Sequence, residues 1–434
     1  MTTVGVRRED KSIWERRVPL TPAVARDLRE QHGIDTRVQP SAIRAFTDDE
    51  FRQAGVQVDE DLSSCPVVLA IKEIPKSVFL PGQAYVFFSH VIKGQPFNMP
   101  MLARLLDLGC TLIDYEKITD DSGRRLIFFG WHAGVAGMLE TLRALGLRLE
   151  WQGIANPFAA RRQPYQYHDL DEALVDVDAV AAAIRADGLP AGLAPLTIGI
   201  AGYGNVARGV WDVLRHLPVE VIEPDELAGV SVNAAASHHV IYATTFREEH
   251  IAAPVVEGQS FDLQRYYQHP HEFRPVFEQY LPHLDVLVNA IYWTPQYPRL
   301  VTKEYLRDAL ASDTLRLRVI GDISCDIDGA IECTVRATEA GEPYFVYDPL
   351  ADELLDGVVG RGVVVMAVDI LPSELPRDAS EDFSRVLAEF IPALAAADYS
   401  ASFAELALPA PIKRAVITHR GELTPDYRYL EQYI

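Results

Sequence analysis

The stretch "LTIGIAGYGNVARGVWDVLRHLPVEVIEPDEL", residues 196–227, decides the architecture. A β-rich run ends at Ala201, and Gly202, Gly204 and Ala207 then fit the pattern G-x-G-x-x-A. Helical periodicity follows through Val206, Val210, Val213, Leu214 and Leu217, and a second strand comes at "VEVIEP". Each part has a physical requirement. Gly202 permits the tight turn, Gly204 lets the backbone approach a pyrophosphate, and the small Ala207 lets helix and strand pack closely. The helix N-terminus, with Asn205 and Val206 in its first turn, then holds the phosphates. Glu223 stands at the end of the second strand, about 20 residues on, where an acid accepts hydrogen bonds from a ribose 2′-OH. By itself it favours NAD over NADP. The competing reading is a glycine-rich βα turn in an unrelated α/β protein. The order strand, turn, helix, strand argues for dinucleotide binding.

Two later strands are expected to end at the same crevice, outside the carboxyl ends of the sheet strands. "DVLVNAIYWTPQYPRL" places Asn289, Tyr292, Trp293 and Arg299 just past an apolar run. "LRLRVIGDISCDIDGAIECT" places Asp322, Ser324, Asp326, Asp328 and Glu332 similarly. Asn289, Asp322 and Asp326 join the cofactor-binding set. The acidic run fails the calcium-loop pattern, because Gly329 in the glycine position puts Ser324 first and Val335 last. His238, His239, His269, His271 and His283 lack metal spacing, so no metal site is expected.

Residues 1–130 alternate strands ("TRVQP", "PVVLAIKE", "AYVFFSH", "CTLIDYEKI") with helices ("TPAVARDLREQHG", "NMPMLARLLDLG"), which implies a second parallel sheet. Residues 131–149 form a long helix suited to bridging two domains. The Pro/Arg/Tyr-rich "NPFAARRQPYQYHD" and an acidic helix follow, and the tail from about residue 372 reads as mostly helical. Polar residues cluster where the first strands end: Arg16 and Arg17, Lys72 and Glu73, His90, Glu116, then Arg124 and Arg125. In a parallel sheet these ends converge. Lys72 and His90 there form an acid/base pair, with Glu73 or Glu116 tuning their proton affinities. The arginines hold carboxylates in bidentate forks. The bland alternative is that each is a solvated residue at a strand end.

At 434 residues, two domains are expected, and 48% hydrophobic with 24% charged residues is ordinary globular usage. A net charge of −22 argues against a nucleic-acid partner. It suits small anionic substrates only where arginines gather. Cys65, Cys110, Cys325 and Cys333 are scattered and form no CxxC, as in a reduced cytoplasmic protein. The first residues run directly into a strand, so no secretory leader is expected. No apolar run approaches the roughly 20 residues that cross a bilayer, so no membrane partner is expected. Nothing in the chain indicates an oligomeric state.

Seven strings carry a resemblance: "VGVRREDKSIWERRVPLTP", "SHVIKGQPFNMPML", "TLIDYEKITDDSGRRLIFFG", "GNVARGV", "NAIYWTPQYPRL", "GDISCDIDGAIE" and "MAVDILPSELPRDASEDFS". In order, from Val4 to Tyr429, the chain resembles the lysine–2-oxoglutarate reductase family, the reductase half of aminoadipic semialdehyde synthase. It is more distantly similar to fungal saccharopine dehydrogenase and alanine dehydrogenase. The resemblance implies two Rossmann-like α/β domains with parallel sheets flanked by helices and a cleft between them. Residues 1–130 plus 372–434 would form the substrate domain and 131–371 the dinucleotide domain. It implies an NAD(P)H-dependent oxidoreductase of lysine metabolism, acting on CH–NH groups, that condenses L-lysine with 2-oxoglutarate to saccharopine. No saccharopine-oxidising half is expected, so the reductase would stand alone. In the matching motifs Lys72 and His90 are the acid/base groups, Glu73 and Glu116 modulate them, and Arg17, Arg124 and Arg125 bind substrate carboxylates. Animal and plant members use NADPH while keeping an acid at the position of Glu223. Asp225, where the animal form has His, weakens NADP, and Arg208 in the turn restores it. The expectation is NADP, with NAD as the alternative. The loop after "NPF" follows the family only loosely. Two rival readings remain: condensation of another amino acid with a keto acid, and a non-catalytic nucleotide-sensing module. The presence of Lys72, His90 and the arginines favours an enzyme.

Overall fold

The computed structural model describes residues 2–233 and 235–434. The chain divides into two compact units, one running to Phe129 and including Pro376–Ile434, the other Gly130–Leu375.

The first unit begins with β1 (Thr2–Val6), α1 (Pro22–His32), β2 (Ile34–Val38), α2 (Asp48–Gln53) and β3 (Gln57–Val58). It continues through β4 (Val67–Leu69), β5 (Ala84–Phe87), α3 (Met99–Asp107) and β6 (Thr111–Asp114). Local chemistry sets these ends. The Thr21 hydroxyl accepts the Val24 N–H at the start of α1, Pro22 fills its first turn, and Gly33 closes it at φ 65°. The six strands pair in parallel. Val4, Val6, Leu69, Val86 and Phe87 have no exposed surface, as strands covered on both faces require.

The second unit carries α4 (Gly130–Trp151), α5 (Leu170–Asp187), β7 (Leu196–Ala201), α6 (Asn205–Leu214), β8 (Val219–Val221) and β9 (Ile241–Phe246). A separate two-stranded sheet, β10 (Ala252–Pro254) with β11 (Phe273–Pro275), precedes β12 (Val286–Asn289) and β13 (Val319–Asp322). Then come β14 (Tyr344–Asp348), β15 (Glu353–Asp356) and β16 (Val363–Met366). The main sheet has the order β15-β14-β16-β13-β12-β7-β9-β8. Its centre is parallel, but β14 is antiparallel to both of its neighbours, β16 and β15. The four residues joining β14 to β15 are too few for a crossover helix.

The tail also departs from expectation. Besides helices at Pro376–Ala388 and Ile391–Ala396, it supplies β17 (Val416–His419) and β18 (Glu422–Leu423). The first sheet therefore reads β18-β17-β6-β5-β4-β1-β2-β3, with β17 antiparallel to both of its neighbours, β6 and β18, on an otherwise parallel sheet. Arg420 and Gly421, both at positive φ, form the two-residue hairpin between them. The loosely matching loop packs against α4: Asn156 Nδ2 donates to the Gly146 carbonyl at 3.0 Å, and Arg161 is buried.

Two glycines let α4 lie against α6. A Cβ on Gly134 would stand 1.9 Å from the Val206 carbonyl oxygen, and one on Gly209 would stand 2.1 Å from that of Trp131. The obstacles are backbone atoms, so neither helix yields without moving. Gly209→Val is expected to destabilise the protein by at least about 3 kcal/mol. Denaturant titration checks this, and a midpoint within error of the parent would contradict it.

Candidate functional site

Two clusters merit description, one in each unit. In the second unit, the turn after β7 has the geometry its glycines require. Gly202 lies at φ 106°, and a Cβ there would meet the Ala290 carbonyl oxygen at 2.8 Å. Gly204 faces open space and caps α6, whose first turn holds Asn205, Val206 and the buried Ala207. A cavity of about 510 Å³ opens here, lined by Gly202, Gly204, Arg247, Glu248, Tyr267 and Trp293 among others. The ends of β7, β9 and β12 are stitched together: Gly202 N–H donates to the Phe246 carbonyl and Ala290 N–H to that of Ala201, both at 3.0 Å. A strand, a glycine turn with room above it and a following helix fit the pyrophosphate of a dinucleotide.

Four expected cofactor residues are placed differently. Glu223 does follow β8, but β8 is the edge strand, and β9 lies between it and β7. Glu223 is thus one strand further out and does not line the cavity. Consecutive strands are not neighbours here, because β9 occupies the place between β7 and β8. Asn289 and Asp322 do end adjacent strands, but both are buried. Asn289 Nδ2 donates to Asp322 at 2.8 Å, and Thr334 donates to the other carboxylate oxygen at 2.6 Å. Burial pushes the Asp322 carboxyl up to about 6. The pair ties β12 to β13. Asp326 lies in the exposed loop beyond.

In the first unit, the ends of β4, β5 and β6 carry the expected polar groups, joined by two further acids, Glu9 and Glu15. Glu9 is buried and accepts the backbone N–H groups of Ile71 at 2.7 Å and Lys72 at 3.0 Å, fixing the end of β4. Burial and the nearby Glu15 raise its carboxyl to about 7 against those hydrogen bonds. Burial, then the charge of Arg17, pulls the Lys72 ammonium below its ordinary value. Its Nζ has no hydrogen-bond or ion-pair partner among the described residues.

Glu73 is the hub. One carboxylate oxygen meets His90 Nδ1 at 2.7 Å and the other takes a hydrogen bond from Lys11 Nζ at 2.6 Å. Burial pushes its carboxyl up, but the bonds from His90 and Lys11 outweigh burial and hold it at about 2. An ionised carboxylate only accepts, so Nδ1 of His90 carries the hydrogen. Neutral His90 then presents Nε2 as a base, and protonated His90 presents it as an acid. The backbone of His90 is left-handed, at φ 50°, and its carbonyl accepts from Asn98 Nδ2 at 3.2 Å. Such a conformation in a non-glycine residue costs about 1 kcal/mol or more and orients the ring.

The arginines separate. Arg17 is buried, forked onto Glu15 by Nε at 2.7 Å and by Nη2, and stacked over Phe129 at 4.3 Å. Arg125 pairs with Glu116 and is half exposed, while Arg124 pairs with Asp120 at 3.1 Å in an exposed turn. Arg17→Ala would strand Glu15 as a buried, unpaired charge, so a loss of about 3–5 kcal/mol of stability is expected. Arg125→Ala is expected to cost no more than about 1 kcal/mol. Thermal unfolding of both variants checks the contrast, and equal melting temperatures would contradict it. Glu9, Lys11 and Glu15 all lie in "REDKSIWER", where acids interleaved with bases just after a strand were the available signal.

The chain has known relatives in sequence and in fold. Residues 5–136 match the alanine dehydrogenase/PNT N-terminal domain and residues 264–426 the alanine dehydrogenase/PNT C-terminal domain. Together these cover more than half of the chain, which belongs to this family. Over 98% of its length the chain is 38% identical to alpha-aminoadipic semialdehyde synthase of Arabidopsis thaliana, and over 99% it is 32% identical to the mitochondrial protein of that name from Mus musculus. It spans only 41% and 47% of those proteins, less than half of either. It is 26% identical to the Emericella nidulans "saccharopine dehydrogenase [NAD(+), L-lysine-forming]", over 88% of this chain and 90% of that protein. A solved L-alanine dehydrogenase superposes with a TM-score of 0.62 at 17% identity, covering 100% of this chain and 99% of its own. That likeness speaks for the fold alone. Among the described residues no helix is long and apolar enough to cross a membrane.

Proposed function

We propose that this chain catalyses the NAD(P)H-dependent reductive condensation of L-lysine with 2-oxoglutarate to saccharopine. The observation that carries the reading is the Lys72–Glu73–His90 cluster: a lysine with lowered proton affinity, next in the chain to the glutamate whose carboxylate fixes the tautomer of His90. Condensation needs this pairing. The attacking ε-ammonium must lose a proton, and the carbinolamine hydroxyl must gain one to leave as water. His90 Nε2 accepts the first proton and returns one to the departing hydroxyl. Lys72 takes the second proton, which the amine loses after attack, and passes it to the carbinolamine oxygen, making the hydroxyl that His90 then protonates. Arg125, half exposed beside Glu116, is the carboxylate-binding group of the keto acid. Arg17 acts by holding Glu15 and lowering the proton affinity of Lys72 rather than by facing substrate. A nicotinamide dinucleotide with its pyrophosphate at the Gly202–Ala207 turn would supply the hydride that reduces the imine.

The test is oxidation of reduced nicotinamide, followed by fluorescence, with 2-oxoglutarate and a panel of amines. Turnover is expected with lysine. Preference for another amine would replace the substrate assignment with opine-type condensation. Cofactor binding without turnover on any amine would favour a nucleotide-sensing module.

A further inference from the structure

We infer that Arg247 is the residue that selects the cofactor, by taking the 2′-phosphate of NADP. The inference rests on the dinucleotide reading and assigns one side chain of this chain within it. The strand hydrogen-bonded beside β7 is β9, not β8. Its register pairs Ala201 with Phe246, so the next residue on each strand is Gly202 and Arg247. The residue ending this neighbouring strand meets the adenosine ribose: an acid there accepts the 2′-OH, and an arginine nearby accommodates a 2′-phosphate. Here that residue is a cation.

The surroundings agree. Arg247 lines the cavity that also holds Gly202 and Gly204. Its guanidinium carbon sits 4.9 Å from the Tyr203 ring centroid. It has no ion-pair partner among the described residues, so its charge is available to an anion. The acid next to it, Glu248, is engaged: Tyr203 Oη donates to it at 3.2 Å and Tyr267 Oη at 2.5 Å. Those phenols temper its repulsion of a phosphate. Glu223, the acid that by sequence pointed to NAD, lies outside the cavity on the far side of β9. Arg208 also lies on the turn side, but its Nη2 is held by Asn205 at 2.6 Å.

The experiment measures binding without turnover. Dissociation constants for NADPH, NADH, adenosine 2′,5′-bisphosphate and 5′-AMP are determined by calorimetry for the parent, Arg247→Gln and Arg247→Lys. Loss of a charge-assisted contact is expected to weaken NADPH and the bisphosphate about 10–100-fold in Arg247→Gln. NADH and 5′-AMP should change by less than about threefold, and Arg247→Lys should recover part of the loss. Raised salt should weaken the bisphosphate more than 5′-AMP in the parent and lose that difference in Arg247→Gln. Equal changes for the two cofactors, or none, would overturn the assignment while leaving dinucleotide binding intact. A parent that binds neither cofactor would instead overturn the dinucleotide reading. A parent that prefers NADH, and keeps that preference in Arg247→Gln, would assign the ribose to Glu248 and refute the role of Arg247.

Discussion

Lys72→Met and His90→Gln are each expected to lower kcat by about 10²–10⁴-fold, the usual contribution of a positioned acid or base. Cofactor affinity should stay within about twofold, because neither residue belongs to the unit carrying the glycine turn. The kcat/KM profile of the parent should be bell-shaped, with its basic limb below the ordinary lysine value, since burial and Arg17 pull Lys72 down. Stability provides an independent readout. A lysine whose proton affinity is lowered by folding destabilises the native state wherever both states hold the proton. That cost is full below the folded pKa and vanishes as pH rises through the unfolded value of 10.5. Lys72→Met should therefore melt at a higher temperature than the parent at pH 7, and the gain should shrink towards pH 10.5. Near-parental rates in both variants would return His90 and Lys72 to the role of strand-end scaffolding. A melting gain without loss of rate would separate burial from catalysis.

Gly204→Val is expected to raise the dissociation constant for nicotinamide cofactor at least about 100-fold, the factor corresponding to about 3 kcal/mol of overpacking against the pyrophosphate. It should leave the melting temperature nearly unchanged, because no atom lies within 4 Å of a Cβ at that position and its φ is an ordinary −79°. Gly202→Val should behave differently. Its φ of 106° disfavours any side chain, and the Cβ would strike the Ala290 carbonyl oxygen at 2.8 Å. A loss of about 2–4 kcal/mol of stability is expected there, whatever the cofactor does. Melting curves and fluorescence titration of both variants check the contrast. Unchanged affinity in a folded Gly204→Val protein would remove the dinucleotide assignment.

The glycine turn was legible in the sequence because its requirements are local. A strand, a left-handed glycine, a capping glycine and a small helix residue are set by backbone sterics within about a dozen residues. The strand-end positions of Lys72 and His90 were legible for the same reason, since an apolar run stops where its polar residue begins. Pairing between strands is different. β8 and β9 both look like edge or inner strands from their composition, and only the packed sheet puts β9 beside β7 and moves Glu223 away from the cavity. The same holds for the antiparallel β17, which finds β6 from more than 300 residues away.

Charges divide in the same way. The sequence by itself determined that acids and bases crowd the first strand ends, that a glycine-rich turn joins a strand to a helix, and which side chains are the candidates for proton chemistry. Tertiary structure alone decided their partners: Glu15 for Arg17, Glu116 for Arg125, His90 and Lys11 for Glu73, Asp322 for Asn289. The physical reason is range. Backbone conformation is selected by neighbours in the chain, whereas the worth of a charge depends on burial and on groups within a few ångströms in space. Those distances exist only once the sheets have assembled.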